Sequence, residues 1–128
     1  MTNGGQRFPI RFTGANRAMR FIGITASGSY VTIDDEIVHV RMGWAFVASI
    51  QRSSVRSAVA DHGPVGGWGV HGWNGRWLVN GSSSGLVRIE IDPDGQGRLL
   101  VGWPVRLRVL RVSVDDPDGL VAALDAAG

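Results

Sequence analysis

Apolar residues fall at every second position through most of this chain, the spacing that gives a β-strand one buried and one wet face. Phe8, Ile10 and Phe12 alternate with Arg7 and Arg11. Pro9 within that run lacks an N–H and marks an edge strand. Gly14-Ala15-Asn16 turns the chain. Asn16 then caps a short helix over 16–23 that stops at Gly23, or Met19 and Phe21 belong to a strand; we take the helix. Residues 30–34 and 36–42 predict a hairpin around Asp34-Asp35. Val31, Ile33, Val38, Val40 and Met42 face inward, with Ile37, His39 and Arg41 opposite. Trp44, Phe46, Ala48 and Ile50 line a third strand. A polar turn over 51–54 leads to a strand in which Val55, Ser57 and Val59 oppose Arg56 and Ala58. Asp61-His62-Gly63-Pro64 ends it.

Residues 66–85 hold seven glycines and three tryptophans. Asn74-Gly75 predicts a type I′ hairpin turn, because both central residues need positive φ. Trp73 then pairs with Arg76, Gly72 with Trp77, His71 with Leu78 and Val70 with Val79. One face carries Trp68, Val70, Trp77 and Val79, with Gly72 leaving room for the Trp77 ring. The other carries His71, Trp73, Arg76 and Leu78, with Arg76 placed to stack on Trp73. In the rival reading the glycines leave 66–72 irregular and only 77–80 is strand.

Further on, Val87, Ile89 and Ile91 alternate with Arg88 and Glu90. Asp92-Pro93-Asp94-Gly95 has the residues of a turn. A short apolar segment over 99–103 stops at Pro104. Val105, Leu107 and Val109 face in, and then the phase flips to Leu110, Val112 and Val114. A β-bulge produces such a flip and bends the strand. The chain closes on a helix over 116–126. Asp116 is the N-cap, Pro117 the first helical residue, and Asp118 suits the positive helix end. Leu120, Val121 and Leu124 form its apolar stripe, widened by Ala123 and Ala127. At this length it must dock to persist. No repeat or linker divides the chain. It reads as a single domain, 1–128, with 1–28 an extension packed on it.

Composition narrows the class. The 128 residues include 19 glycines and no cysteine, so disulfides and thiolate chemistry are excluded. All thirteen basic residues are arginine, scattered along the chain, with a formal net charge of only +2. A dispersed excess gives no strong nucleic-acid signal. The N-terminus lacks the apolar run of a signal peptide. The longest nearby apolar run, 44–50, is far below the ~20 residues that span a bilayer. The expectation is a soluble, cytoplasmic protein with no transmembrane segment.

Successive antiparallel strands, a late bend and one closing helix resemble a pleckstrin-homology-like (PH-like) barrel. The chain is similar to a set of small actinobacterial proteins related to bacterial PH-like domains. The resemblance rests on residues 30–42, on Ile50 and Ser54-Val55-Arg56-Ser57-Ala58, on Gly67-Trp68-Gly69-Val70-His71-Gly72-Trp73, on Arg76-Trp77-Leu78-Val79-Asn80-Gly81-Ser82, and on 110–124. It covers most of the chain from about residue 28. It implies a mainly β fold: a strongly bent antiparallel sheet or small barrel of about 7–9 strands, capped by a C-terminal helix. It also implies a role in binding lipids, peptides or proteins rather than in chemistry. The acidic Asp34-Asp35 hairpin tip departs from the basic loop of phosphoinositide binders, which puts lipid-headgroup binding in doubt.

Candidate chemistry is thin. Gly67-x-Gly69-x-x-Gly72 mimics a dinucleotide fingerprint, but that motif must open a helix, and Asn74-Gly75 forbids one. His39, His62 and His71 show no metal-ligand spacing. Ser82-Ser83-Ser84 lacks a nucleophile-elbow pattern. Asp34, Asp35 and Glu36 are a solvated turn. No catalytic residue, metal or cofactor is assigned. The reading is a non-catalytic binding or assembly module acting on a protein partner or on itself. Trp73, Arg76, His71 and Arg56 are its candidate face, and an exposed Trp beside Arg is typical of binding hot spots. A competing view covers Trp73 as ordinary core. A second hypothesis is a small-ligand barrel, possible enzyme included, with Trp44, Trp68, Trp77 and Trp103 around a cavity.

Overall fold

One strand, β8 (Leu86–Leu99), runs through both halves of the sheet, and the rest of the chain is arranged on it. The computed structural model describes residues 6–12, 28–43, 45–63, 69–80, 82, 84–99, 102 and 104–125, with backbone alone for Gly69, Val70, His71 and Trp73. The fold is mainly β. Besides β8 it has β1 (Gln6–Pro9), β2 (Ser29–Ile33), β3 (Ile37–Met42), β4 (Phe46–Gln51), β5 (Val55–Asp61), β6 (Gly69–Trp73), β7 (Arg76–Asn80) and β9 (Pro104–Ser113). One helix, α1 (Pro117–Asp125), follows. The curled sheet runs β1-β2-β3-β4-β8-β9-β7-β6, with β5 pairing β8 beside β4. An isolated bridge, Ile10 to Val114, ties the end of β1 to the end of β9.

The first half of β8 pairs β5 through residues 86–91, and its last residues pair β4 through 96–99. Between the two it bends. Glu90 lies opposite Val109 and Gly95 opposite Leu107, so four residues of β8 face only Arg108. Asp92-Pro93-Asp94-Gly95 is therefore an excursion within one strand, not the turn the sequence suggests. Proline and aspartate suit a place where ladder bonds lapse. Gly95 fits beneath Ile50, whose Cγ1 would stand 2.9 Å from an added Cβ.

On β9 the predicted phase flip is real but falls one residue earlier: Val109, expected to face in, lies on the outer row with Arg76 and Glu90. The Gly75 carbonyl accepts from both Arg108 N (2.7 Å) and Val109 N (3.1 Å), which is bulge geometry. Leu107 and Leu110 are consequently both fully buried, three residues apart. A second irregularity corrects β5. Its register shifts between Val55 and Ser57, so Val55 packs on the core while Ser57 and Val59 face outward. Ala58 is the buried residue there, and Val59 is 42% exposed.

Not every neighbour is antiparallel. β7 runs parallel to β9, which lies between β7 and β8. The link over 81–85 must step across one strand, about 10 Å, and five residues reach that easily. Pro9 sits, as expected, on the edge strand β1. The β2–β3 hairpin turns at Asp34, whose Oδ1 accepts from the Glu36 and Ile37 N–H groups at 2.9 and 2.8 Å. Those two N–H groups hold the Asp34 carboxyl below its ordinary pKa.

The inner surface is filled by Val31, Val38, Val40, Phe46, Ile50 and Ile89, among others, each at most 1% exposed. Leu120, Ala123 and Leu124 of α1 join that core. Asp116 caps α1, with Gly119 N donating to its Oδ1 at 3.0 Å. Arg52, in the 3-10 turn Arg52–Ser54, donates to the Asp34 carbonyl (2.7 Å) and the Ala123 carbonyl (2.9 Å), tying hairpin to helix. The helix expected over 16–23 and the side chains of Trp44, Trp68, Trp103 and Ala127 lie outside the described residues.

Candidate functional site

The glycine–tryptophan hairpin folds in the register its sequence predicts, Gly69 opposite Asn80 through Trp73 opposite Arg76. Asn74 and Gly75 take positive φ, 54° and 82°, as the turn requires. Gly72 leaves space for the indole of Trp77; an added Cβ there would collide with its Cδ2 and Cε3. The indole in turn reaches Phe46 on the far half of the sheet, with ring centroids 6.5 Å apart. Trp77 is thus partly buried and packs against the core, linking the two halves of the sheet. Its Nε1 is buried with no hydrogen-bond partner.

Side chains on the outer surface follow from the pairing. One row crosses the strands as Arg76–Val109–Glu90–Ser57, and the next as Leu78–Arg111–Arg88–Val59. By backbone register Trp73 extends the first row and His71 the second; their side chains lie outside the described residues. Arg76 is exposed at the β7 end. Arg56 is exposed too, but on β5, three inter-strand spacings or about 14 Å away. It lines a shallow hollow of about 290 Å³ near the end of α1, with Arg52, Ser53 and Asp125. The structure therefore separates Arg56 from Arg76, because β8 and β9 lie between their strands.

Between them sits an ion pair absent from the sequence reading. Arg111 Nε donates to Asp61 Oδ2 at 2.6 Å, and Arg111 Nη2 donates to the Gly63 carbonyl at 3.1 Å. Both side chains are largely covered, at 23% and 14% exposure. Burial pushes the Asp61 carboxyl up. The Gly63 N–H, the bond from Arg111 and the charges of Arg111 and Arg88 outweigh it and leave the pKa lowered. Asp61 and Arg111 are 50 residues apart, so only the strand pairing could reveal them.

A lowered carboxylate pKa stabilises the fold above the unfolded value near 4 and loses that contribution as pH falls through the folded value. Asp61→Asn is expected to cost about 1–3 kcal/mol at pH 7, the scale of a charged hydrogen bond. The gap from wild type should shrink below pH 4. Urea denaturation across pH checks this; a gap that is constant with pH contradicts it.

The serine loop is structural. Asn80 Nδ2 donates to the Ser82 carbonyl (2.7 Å), Ser84 N to Ser82 Oγ (3.1 Å) and Arg11 Nη1 to Ser84 Oγ (3.1 Å). Arg11 also donates to the Asp115 carbonyl at 3.0 Å, fastening the N-terminal strand to the start of the helix. His39 is exposed and shares a 3.2 Å hydrogen bond with Ser49, its cross-strand partner. Among the described residues no three His, Cys, Asp or Glu gather as metal ligands, and no helix is long and apolar enough to cross a membrane. Compared with known protein families, curated proteins and solved structures, the chain matches none.

Proposed function

We propose that this protein is a PH-like, non-catalytic binding or assembly module of the cytoplasm. It engages a protein partner or a second copy through the outer face of the β6–β7 hairpin. The filled interior carries this reading: Phe46, Leu107 and Leu110 are fully buried inside the curl, which leaves the outer surface to meet a partner. Arg76 is exposed there, half-buried Leu78 lies in the next row, and Trp73 and His71 share those rows by register. A tryptophan beside an arginine supplies the area and the charge-assisted bonds of a hot spot. Arg56 is not part of that patch.

Trp73→Ala and Arg76→Glu should abolish self-association, or partner capture, and leave the thermal melt nearly unchanged. Sedimentation equilibrium over a range of concentrations reads the first and circular dichroism the second. Variants that associate as the wild type does would remove the hairpin from the interface.

A further inference from the structure

The opposite half of the sheet carries a second outer surface of different chemistry. One row there runs Arg7–Thr32–His39–Ser49–Gln96–Arg106, from β1 to β9. The adjacent outer row contains Tyr30, Arg41, Val47 and Arg98. The row between them, with Val31, Val40 and Ala48, is buried, so these side chains point away from the core. Arg7, Arg41, Arg98 and Arg106 are all exposed, and neither row contains an aspartate or glutamate. Arg106 stands 3.9 Å from Asp94 but remains 83% exposed. Arg41 and Arg98 have no ion-pair partner among the described residues.

Arg98 and Arg106 flank an open groove of about 570 Å³. Ser49 and Gln96 offer it a hydroxyl and an amide, and Val47 and Pro104 offer flat apolar surface. At the other end of the rows, Arg7 lies 4.0 Å over the Tyr30 ring. The acidic residues Asp34, Asp35, Glu36, Asp92 and Asp94 border one side of the two rows, where Asp94 reaches Arg106.

We propose that this face binds single-stranded nucleic acid. Its basic track spans five inter-strand gaps, about 24 Å, enough for roughly four nucleotides, the low end for a single sheet-based site. Arginine's planar fork matches phosphate oxygens. The groove polar groups can meet base edges, and the apolar walls and the Tyr30–Arg7 stack can meet base faces. An anionic lipid surface would call for projecting apolar residues; the only large one in these two rows that is well exposed is Val47, at 38%. An acidic protein would call for an enclosed pocket for an apolar anchor, and this groove is open along its length. The arginines are scattered in the sequence and are collected only by strand pairing.

Fluorescence anisotropy with a labelled oligothymidylate of about 12 nucleotides at about 50 mM salt tests this. Saturable binding is expected, with log affinity falling against log salt at a slope of about −2 to −3, from some 0.7 per phosphate neutralised. Arg41→Glu/Arg98→Glu should weaken binding at least about tenfold and flatten the slope by about 1.4. Arg88→Glu, on the other half of the sheet, and Trp73→Ala should leave it unchanged. This separates the result from the hairpin reading. If charge reversal disturbs the melt, Arg41→Gln/Arg98→Gln replaces it. Absence of saturation, equal binding by the double variant, or tighter binding to polyglutamate, phosphatidylserine vesicles or duplex DNA overturns the proposal.

Discussion

Gly72→Ala is expected to destabilise the fold by about 2–3 kcal/mol, a large loss for one methyl group on an exposed strand. The new Cβ would fall inside the Trp77 indole, on Cδ2 and Cε3. That ring cannot swing clear, because its far side packs toward Phe46 at 6.5 Å and Phe46 is fully buried. The strand must lift from β7 or the indole must leave the core. Shrinking the ring should relieve the clash, so Gly72→Ala placed on Trp77→Leu should cost much less than it does alone. A coupling of about 1 kcal/mol or more in that double-mutant cycle is the expected signature, read by urea denaturation. Additive costs would show that Gly72 and Trp77 do not constrain each other.

Leu120→Ala should cost about 2–4 kcal/mol, the range for removing a fully buried leucine. The nine residues of α1 are too few to stay helical alone. The helix persists because Leu120, Ala123 and Leu124 enter the core and Arg52 holds the Ala123 carbonyl at 2.9 Å. The variant should therefore lose amide protection throughout α1 before the sheet opens. Asp118→Ala, exposed on the same helix, should change stability by less than about 1 kcal/mol. Native-state hydrogen exchange and denaturant melts measure both. Full protection of α1 in the Leu120 variant would mean the helix does not depend on docking.

These two expectations mark how far local reasoning reaches. The alternation at Val87, Ile89 and Ile91, the Asn74-Gly75 turn, the Gly72–Trp77 pairing and the Asp116 cap each involve residues close in sequence, and each was legible. So was the existence of the flip on β9, from the change of apolar phase at Val109-Leu110, although Val109 itself faces out. The Asp92–Gly95 segment misled because a turn and a strand bend draw on the same residues. On β5, the bulge between Val55 and Ser57 reverses the alternation without changing composition. The candidate face was legible in part. Arg76 could be placed from the hairpin alone, whereas assigning Arg56 to it required knowing how many strands intervene.

By itself the sequence determined most of the residues that enter the core, β5 and Val109 excepted, where the main hairpins turn, and that one terminal helix must dock, because hydrophobic period and turn chemistry act over a few residues. Tertiary structure alone decided that β9 slots between β7 and β8, that Asp61 meets Arg111, and that Arg7, Arg41, Arg98 and Arg106 share one surface. Those contacts join residues up to a hundred positions apart. Their partners are chosen by strand order and register, which follow from the burial of the whole apolar set at once and leave no local mark in the chain.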